Sequence, residues 1–214
     1  MKKMRFAILV SGRGSNMEAL IDALADDPGA VIACVISDVH DAPALAKAAE
    51  RGIEAVFLSP GEQYRTRLTD EAEQAYVSFL KERDIDYVLL AGFMRMLKHR
   101  FLRAFENRVL NIHPSLLPAF PGLDTHARVL EAGELETGCT VHFVDEGMDT
   151  GAIVAQVRVP VDPEDTPDVL AARVLQCEHR LYAHVVRMLA AGRVTHECLE
   201  KKIFSMEEIL ASNP

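Results

Sequence analysis

Asn111 and His113 stand two residues apart in the stretch NIHPSLLPAFPG, residues 111–122, directly after the apolar pair Val109 and Leu110. On an extended chain, residues i and i+2 point to the same face, so a carboxamide and an imidazole converge on one small volume, where both could address a carbonyl oxygen. Pro114, Pro118 and Pro121 each fix φ and remove a backbone donor, which makes the following loop stiff. An Asn-x-His pair ahead of such a turn could also do no more than satisfy loop backbone groups. A third polar candidate is Asp149, in the segment DEGMDTG between Gly147 and Gly151. Aspartates in turns commonly hydrogen-bond their own backbone, and pattern alone gives this one no other duty. His142, alternating with Val141 and Phe143 in TVHFV, faces either inward or outward, and its role stays open.

Two further segments carry chemistry. SGRGSN, residues 11–16, follows an apolar run and opens a helical pattern; its glycines permit a tight turn, and unpaired N–H groups at a helix start suit a phosphate. As a dinucleotide fingerprint it fails, because the third glycine would fall at Met17, although Asp38 after the next apolar run keeps that alternative in view. AGFMRML, residues 91–97, places Gly92 where a flat ring or backbone could approach, with Met94, Met96 and Leu97 as an adaptable apolar wall; such a stripe also serves as ordinary core.

The elements that must position these residues are short apolar runs at 5–10, 31–36, 55–58, 87–91 and 109–112, separated by helical patterns at 16–25, 42–51 and 66–83. Alternating strand and helix imply an α/β fold, a doubly wound, mostly parallel twisted sheet of about seven strands with flanking helices. In such sheets ligands bind beyond the carboxyl ends of the strands, where the loops after residues 10, 90 and 110 emerge. Past Gly138 the rhythm changes: strands at 139–144 and 153–161 are joined by DEGMDTG with no helix between them. A long amphipathic helix then spans residues 166–191, started by Asp165-Thr166-Pro167 and stopped at Gly192. One domain is expected over residues 1–194, with 195–214 a C-terminal tail.

The chain has 214 residues, 49% hydrophobic and 26% charged, enough for a full core and inconsistent with disorder. A formal net charge of −9 argues against nonspecific binding to nucleic acid or anionic membrane. The apolar run near the N-terminus is too short for a signal sequence, and no stretch approaches the roughly 20 apolar residues of a membrane helix. A cytoplasmic location follows. Cys34, Cys139, Cys177 and Cys198 form no C-x-x-C pair and are expected to be reduced and mostly buried, and the histidines lack metal-ligand spacing, so no metal is expected.

Taken together, SGRGSN, AGFMRML, NIHPSLLPAFPG with Thr125-His126, GCTVHFVDEGMDTG and LQCEH at residues 175–179 resemble the folate-dependent phosphoribosylglycinamide formyltransferase family, in order, over about residues 5–194. The resemblance implies a formyltransferase-like fold and transfer of a formyl group from 10-formyltetrahydrofolate, a cosubstrate, to the amine of 5'-phosphoribosylglycinamide in purine synthesis. It implies a catalytic trio of Asn111, His113 and Asp149. Gly14, Ser15 and Asn16 would hold the phosphate, with Leu175, Gln176, Cys177 and Glu178 against the rest of that substrate. Met94, Arg95, Met96, Leu97, Asn111, Asp145, Glu146, Gly147, Met148 and Asp149 would line the folate pocket, and either Arg65 or Arg67 would meet the folate tail. Only small-molecule substrates are implied, without nucleic acid or membrane, for a monomer or homodimer. Three rivals are weighed. Formyltetrahydrofolate deformylase is expected to carry an extra regulatory domain, and methionyl-tRNA formyltransferase an extra tRNA-contacting one. A non-catalytic nucleotide-binding module would need only SGRGSN and leaves the trio unexplained.

Overall fold

The computed structural model describes residues 3–196 and 202–211. The chain divides into two compact units, Met1–Asn111 and Ile112–Pro214. The first is built from β1 (Met4–Val10), α1 (Ser15–Leu24), β2 (Ala30–Ser37), α2 (Pro43–Glu50), β3 (Glu54–Phe57), α3 (Asp70–Glu82), β4 (Tyr87–Leu90), α4 (His99–Ala104) and the start of β5 (Val109–His113). Its strands run in the order β3-β2-β1-β4-β5, and every pair among them is parallel. Continuous apolar strands suit a sheet covered on both faces: residues 6–10 of β1 are fully buried, as are Val88 and Leu89 of β4.

The helical pattern expected over residues 66–83 begins later, at Asp70. Thr69 caps that helix, its Oγ1 accepting the Ala72 N–H at 3.2 Å, and residues 66 and 67 are drawn into other pairings described below. The helix also carries Glu73, 1% exposed, whose Oε1 accepts the Lys98 N–H at 2.5 Å and so satisfies an orphan donor at the start of α4. Burial pushes the Glu73 carboxyl above its ordinary value despite that bond.

The second unit continues with α5 (Thr125–Glu131), β6 (Glu136–Phe143), β7 (Ile153–Pro160), α6 (Pro167–Ala190), β8 (Lys202–Ser205) and α7 (Met206–Ala211). β6 and β7 are antiparallel, the bent pair the sequence suggests, and β8 lies parallel to β7. α6 starts on Thr166, which caps Val169 N–H at 3.3 Å, followed by Pro167 at the first helical position. Its apolar stripe of Leu170, Val174, Cys177, Leu181 and Val185 is fully buried and packs on β6 and β7.

Among the described residues eight strands therefore stand where about seven are expected, the additional one being β8. β8 and α7 lie in the segment read from the sequence as a tail. Cys34, Cys139 and Cys177 are buried free thiols, while Cys198 lies outside the described residues. Burial pushes the Cys34 thiol up to about 12 and that of Cys177 up to about 11. Among the described residues no helix is long and apolar enough to cross a membrane.

Candidate active site

His113 is the last residue of β5, 5% exposed, with Asn111 two positions earlier on the same strand and half-buried. The His113 ring is held from behind, its Nε2 lying 2.9 Å from the Phe120 carbonyl oxygen. A carbonyl only accepts, so Nε2 carries the hydrogen in that contact. The proline loop that supplies the carbonyl contains a cis Leu117–Pro118 peptide and is fastened at several points. Ser115 Oγ donates to the Ala119 carbonyl at 2.6 Å. Thr140 Oγ1 donates to the Ser115 carbonyl at 2.6 Å and accepts the Leu117 N–H at 3.1 Å, while Gln156 Nε2 donates to both Thr140 Oγ1 and the Leu117 carbonyl at 2.9 Å. Three buried polar groups from β6, β7 and the loop thus satisfy one another.

Asp149 arrives from the turn between β6 and β7. Its backbone is left-handed, φ 56°, a region that Asp tolerates better than most residues. Its Oδ2 accepts the Gly122 N–H at 2.9 Å and lies 3.3 Å from His113 Nδ1, and its Oδ1 lies 3.6 Å from His142 Nε2. The turn is shaped by Asp145, whose Oδ1 takes the Gly147 N–H at 3.1 Å and the Thr150 hydroxyl at 2.7 Å. His142, undecided from the sequence, is 2% exposed, and its Nδ1 donates to the Phe143 carbonyl at 2.8 Å. Burial, the largest influence, pulls His142 below its ordinary value, with the Phe143 carbonyl and Asp149 opposing. His142 is thus a neutral ring whose Nε2, 3.6 Å from the carboxylate, is too far for a hydrogen bond with it.

The His113 contact differs in kind. With Nε2–H committed to Phe120, a neutral ring would face Asp149 with a lone pair, and two acceptors 3.3 Å apart repel. The arrangement is attractive only when a proton lies between Nδ1 and Oδ2. Nearby, His126 is drawn below its ordinary value, first by burial and then by His113, and its Nδ1 is buried with no hydrogen-bond partner.

The remaining residues singled out from the sequence fall as follows. Gly14 adopts φ 75° at the start of α1, where a Cβ would meet Ala44 Cβ at 2.7 Å, so close packing as well as conformation requires glycine. Ser15 and Asn16 form the first turn of α1, and no side chain caps that end. Met94 is 60% exposed, Met96 borderline and Leu97 buried. Arg95, expected to line the folate pocket, turns its guanidinium onto Asp38 at 2.7 Å. In the segment 64–68, Arg65 is exposed, whereas Arg67 stacks over the Tyr64 ring at 3.6 Å and bridges Met96. Glu146, Gly147 and Met148 are exposed in the turn that presents Asp149. On α6, Leu175 is half-buried and Gln176 exposed, while Cys177 and Glu178 point into the core region.

The structure thus brings His113, Asp149 and His142 together in one unit, with Asn111 on the same strand as His113. His142 is the member whose role the sequence leaves open; the usable signal is a histidine inside a strand whose neighbours Val141 and Phe143 are both apolar.

Residues 4–186 match the formyl transferase family. The chain is 42% identical over 196 residues to the phosphoribosylglycinamide formyltransferase of Haemophilus influenzae, covering 91% of this chain and 90% of that one. The solved phosphoribosylglycinamide formyltransferase of Coxiella burnetii superposes with a TM-score of 0.87 at 34% identity, over 95% of this chain and 100% of that one. That of Brucella melitensis is 47% identical with a TM-score of 0.82, over 90% and 98%. The chain also matches the trifunctional purine biosynthetic protein adenosine-3 of Drosophila pseudoobscura pseudoobscura at 42% identity, spanning 15% of that protein's length. With an α/β fold of eight mostly parallel strands among the described residues, a polar cluster at a strand end and likeness over nine tenths or more of the Haemophilus, Coxiella and Brucella enzymes, the chain belongs to the phosphoribosylglycinamide formyltransferases of the formyl transferase family.

Proposed function

We propose that the protein transfers the formyl group of 10-formyltetrahydrofolate to the primary amine of 5'-phosphoribosylglycinamide, a step of de novo purine synthesis, in the cytoplasm. The catalytic domain runs over residues 1–194, and 195–214 form a C-terminal extension. The observation that carries the chemistry is the 3.3 Å approach of Asp149 Oδ2 to a His113 ring whose other nitrogen is already donating to a carbonyl.

When bound, the donor supplies an activated formyl carbon. As an amine adds to such a carbon, its oxygen gains negative charge and the amine nitrogen positive charge. With Nε2–H held by Phe120, His113 donates to that oxygen through Nδ1–H, which turns from Asp149 Oδ2 to the substrate and leaves the carboxylate free for the amine, and the Asn111 carboxamide adds a neutral donor from the same strand. Donors of this kind contribute about 3–4 kcal/mol each. Asp149 accepts the proton released by the amine. The C–N bond to the acceptor forms, the C–N bond to the donor breaks, and a proton returns to the donor nitrogen. His142, buried and neutral, keeps one flank of the carboxylate free of a competing charge.

The residues present suit both substrates. Met94 and Met148 are both exposed, and each offers polarizable apolar surface of the kind a flat ring packs on. Residues 94–97 and 145–149, with Asn111, are assigned to the folate, and either Arg65 or Arg67 would meet its carboxylate tail. The uncapped start of α1 at Gly14, Ser15 and Asn16 suits the phosphate, and residues 175–178 would contact the glycinamide portion.

Incubation of the purified protein with 10-formyltetrahydrofolate, with and without glycinamide ribonucleotide, tests this reading. Tetrahydrofolate release that requires the acceptor is expected. Release without acceptor would mean a hydrolase, and no release would refute the transfer.

A further inference from the structure

A buried carboxylate that the chemistry above does not use lies just past the end of β2. Asp38 is 6% exposed, and both its oxygens are engaged: Oδ1 accepts the Ser11 hydroxyl at 2.6 Å and Oδ2 accepts Arg95 Nε–H at 2.7 Å. Ser11 Oγ accepts in turn the backbone N–H of Met94 at 2.8 Å. At its far end the Arg95 guanidinium donates to the Tyr64 carbonyl at 2.9 Å and to the Arg65 carbonyl. The same two segments are stitched a second time, Met96 N–H donating to the Thr66 carbonyl at 2.8 Å and Arg67 bridging Met96.

One carboxylate therefore links three stretches of backbone: residue 11, which heads the turn 11–16; residues 94–96; and residues 64–67. Desolvating a charged pair offsets much of its attraction, and an apolar filler of similar volume often stabilises a fold as well or better. What a charged hub supplies that a filler does not is directional bonds to defined backbone groups. Arg95 is consumed in this hub, so its side chain holds the segment in place rather than reaching a ligand.

We propose that Asp38 is a positioning residue that, through Ser11 and Arg95, sets the donor-binding segments 64–67 and 94–97 in register with the phosphate turn 11–16. The assignment of ligands to these segments rests on the formyl-transfer reading; the mechanical link does not.

Two variants test it. Asp38→Asn keeps the volume and removes the charge, while Ser11→Ala removes the hydroxyl, and with it the bonds to Asp38 Oδ1 and to the Met94 N–H, and leaves the ion pair with Arg95 whole. For Asp38→Asn, KM for the formyl donor is expected to rise about tenfold and KM for the phosphorylated amine several-fold, with kcat within about twofold of wild type. Hydrogen–deuterium exchange of the free protein reads the link without any activity: the Met94 and Met96 amides should exchange about tenfold faster in Asp38→Asn, and the Met94 amide alone in Ser11→Ala. Should Asp38→Asn fail to fold, Ser11→Ala carries the same comparison for Met94 and the donor KM. Unchanged KM values with unchanged exchange, or a fall in kcat at unchanged KM, would overturn the proposal. A wild-type protein that transfers no formyl group would instead refute the functional reading, with exchange still deciding the link.

Discussion

Replacing Gly151 with alanine should disarm the acid–base cluster without altering any side chain in it. A Cβ at Gly151 falls 1.8 Å from the Phe143 carbonyl oxygen, where anything under 3.0 Å forces a shift, so the two backbones must part by about 1.2 Å, the difference between those figures. Neither atom belongs to a flexible side chain. The same oxygen accepts His142 Nδ1–H at 2.8 Å, and the Phe143 N–H donates to the Ala152 carbonyl at 2.9 Å, so displacement reaches both sides of the turn. Asp149 sits two residues before Gly151, and its 3.3 Å contact with His113 is already near the limit of a hydrogen bond. A shift of an ångström would break it. Misplacing a reacting group by that distance costs on the order of 100-fold in rate, or about 2.7 kcal/mol, and forcing the extra methyl in costs about 1–3 kcal/mol of stability. Steady-state formyl transfer, with circular dichroism melts to establish folding, measures both. A folded Gly151→Ala protein whose kcat/KM stays within about threefold of wild type would refute the reasoning.

Three other outcomes follow from the geometry. Thr140→Val removes the hydroxyl that pins the proline loop to β6, leaving the Ser115 carbonyl, the Leu117 N–H and one Gln156 donor short of a partner; a loss on the order of 3 kcal/mol is expected, lowering Tm by about 6–12 °C in a thermal melt. His126, His142 and His184 are all drawn below their ordinary value of 6.5, each first by burial. The unfolded chain therefore binds more protons than the folded one below that pH, so stability should fall as pH drops from about 6.5 towards 5, and Tm rising over that interval on acidification would contradict it. Glu73 contributes with the opposite sign, because its carboxyl is raised. Cys34, Cys139 and Cys177 are buried with raised thiols, so alkylation of the native protein at pH 8 followed by peptide mapping should leave all three unmodified.

Much of this could be read from residue order, and the gaps have physical causes. The parallel strands announced themselves as apolar runs, and each begins and ends within a residue or two of its expected place, because a strand buried on both faces tolerates few polar residues. The convergence of Asn111 and His113 was equally local, following from the pleat. α4, α5 and α7 escaped because six or seven residues give under two turns, too few for a helical period to show. β8 escaped for a similar reason: four residues, Lys202–Ser205, hold no clear alternation. The expected start of α3 falls too early because Thr66 and Arg67 continue its spacing, yet their backbone is committed to Met96. The polar hubs were the least legible. Local pattern near Asp149 does not point to His113 or His142, and only the family resemblance joins Asp149 to His113; nothing near Asp38 points to Arg95, because such pairs exist only once the chain has folded back. Arg95 is a case in point: the resemblance assigns it to the folate pocket, and no local pattern announces that its guanidinium meets Asp38.

The claim that His113 and Asp149 act as one acid–base unit is tested most directly by a double-mutant cycle on formyl transfer, with His113→Ala, Asp149→Asn and the double variant compared by kcat/KM. Asparagine keeps the left-handed backbone at 149 accessible, so the cycle reads chemistry and not a collapsed turn. Each single change should lower kcat/KM by about 10²–10⁴-fold, and the double variant should be little worse than either. Losses that multiply, each substitution taking its full toll in the presence of the other, would contradict the account.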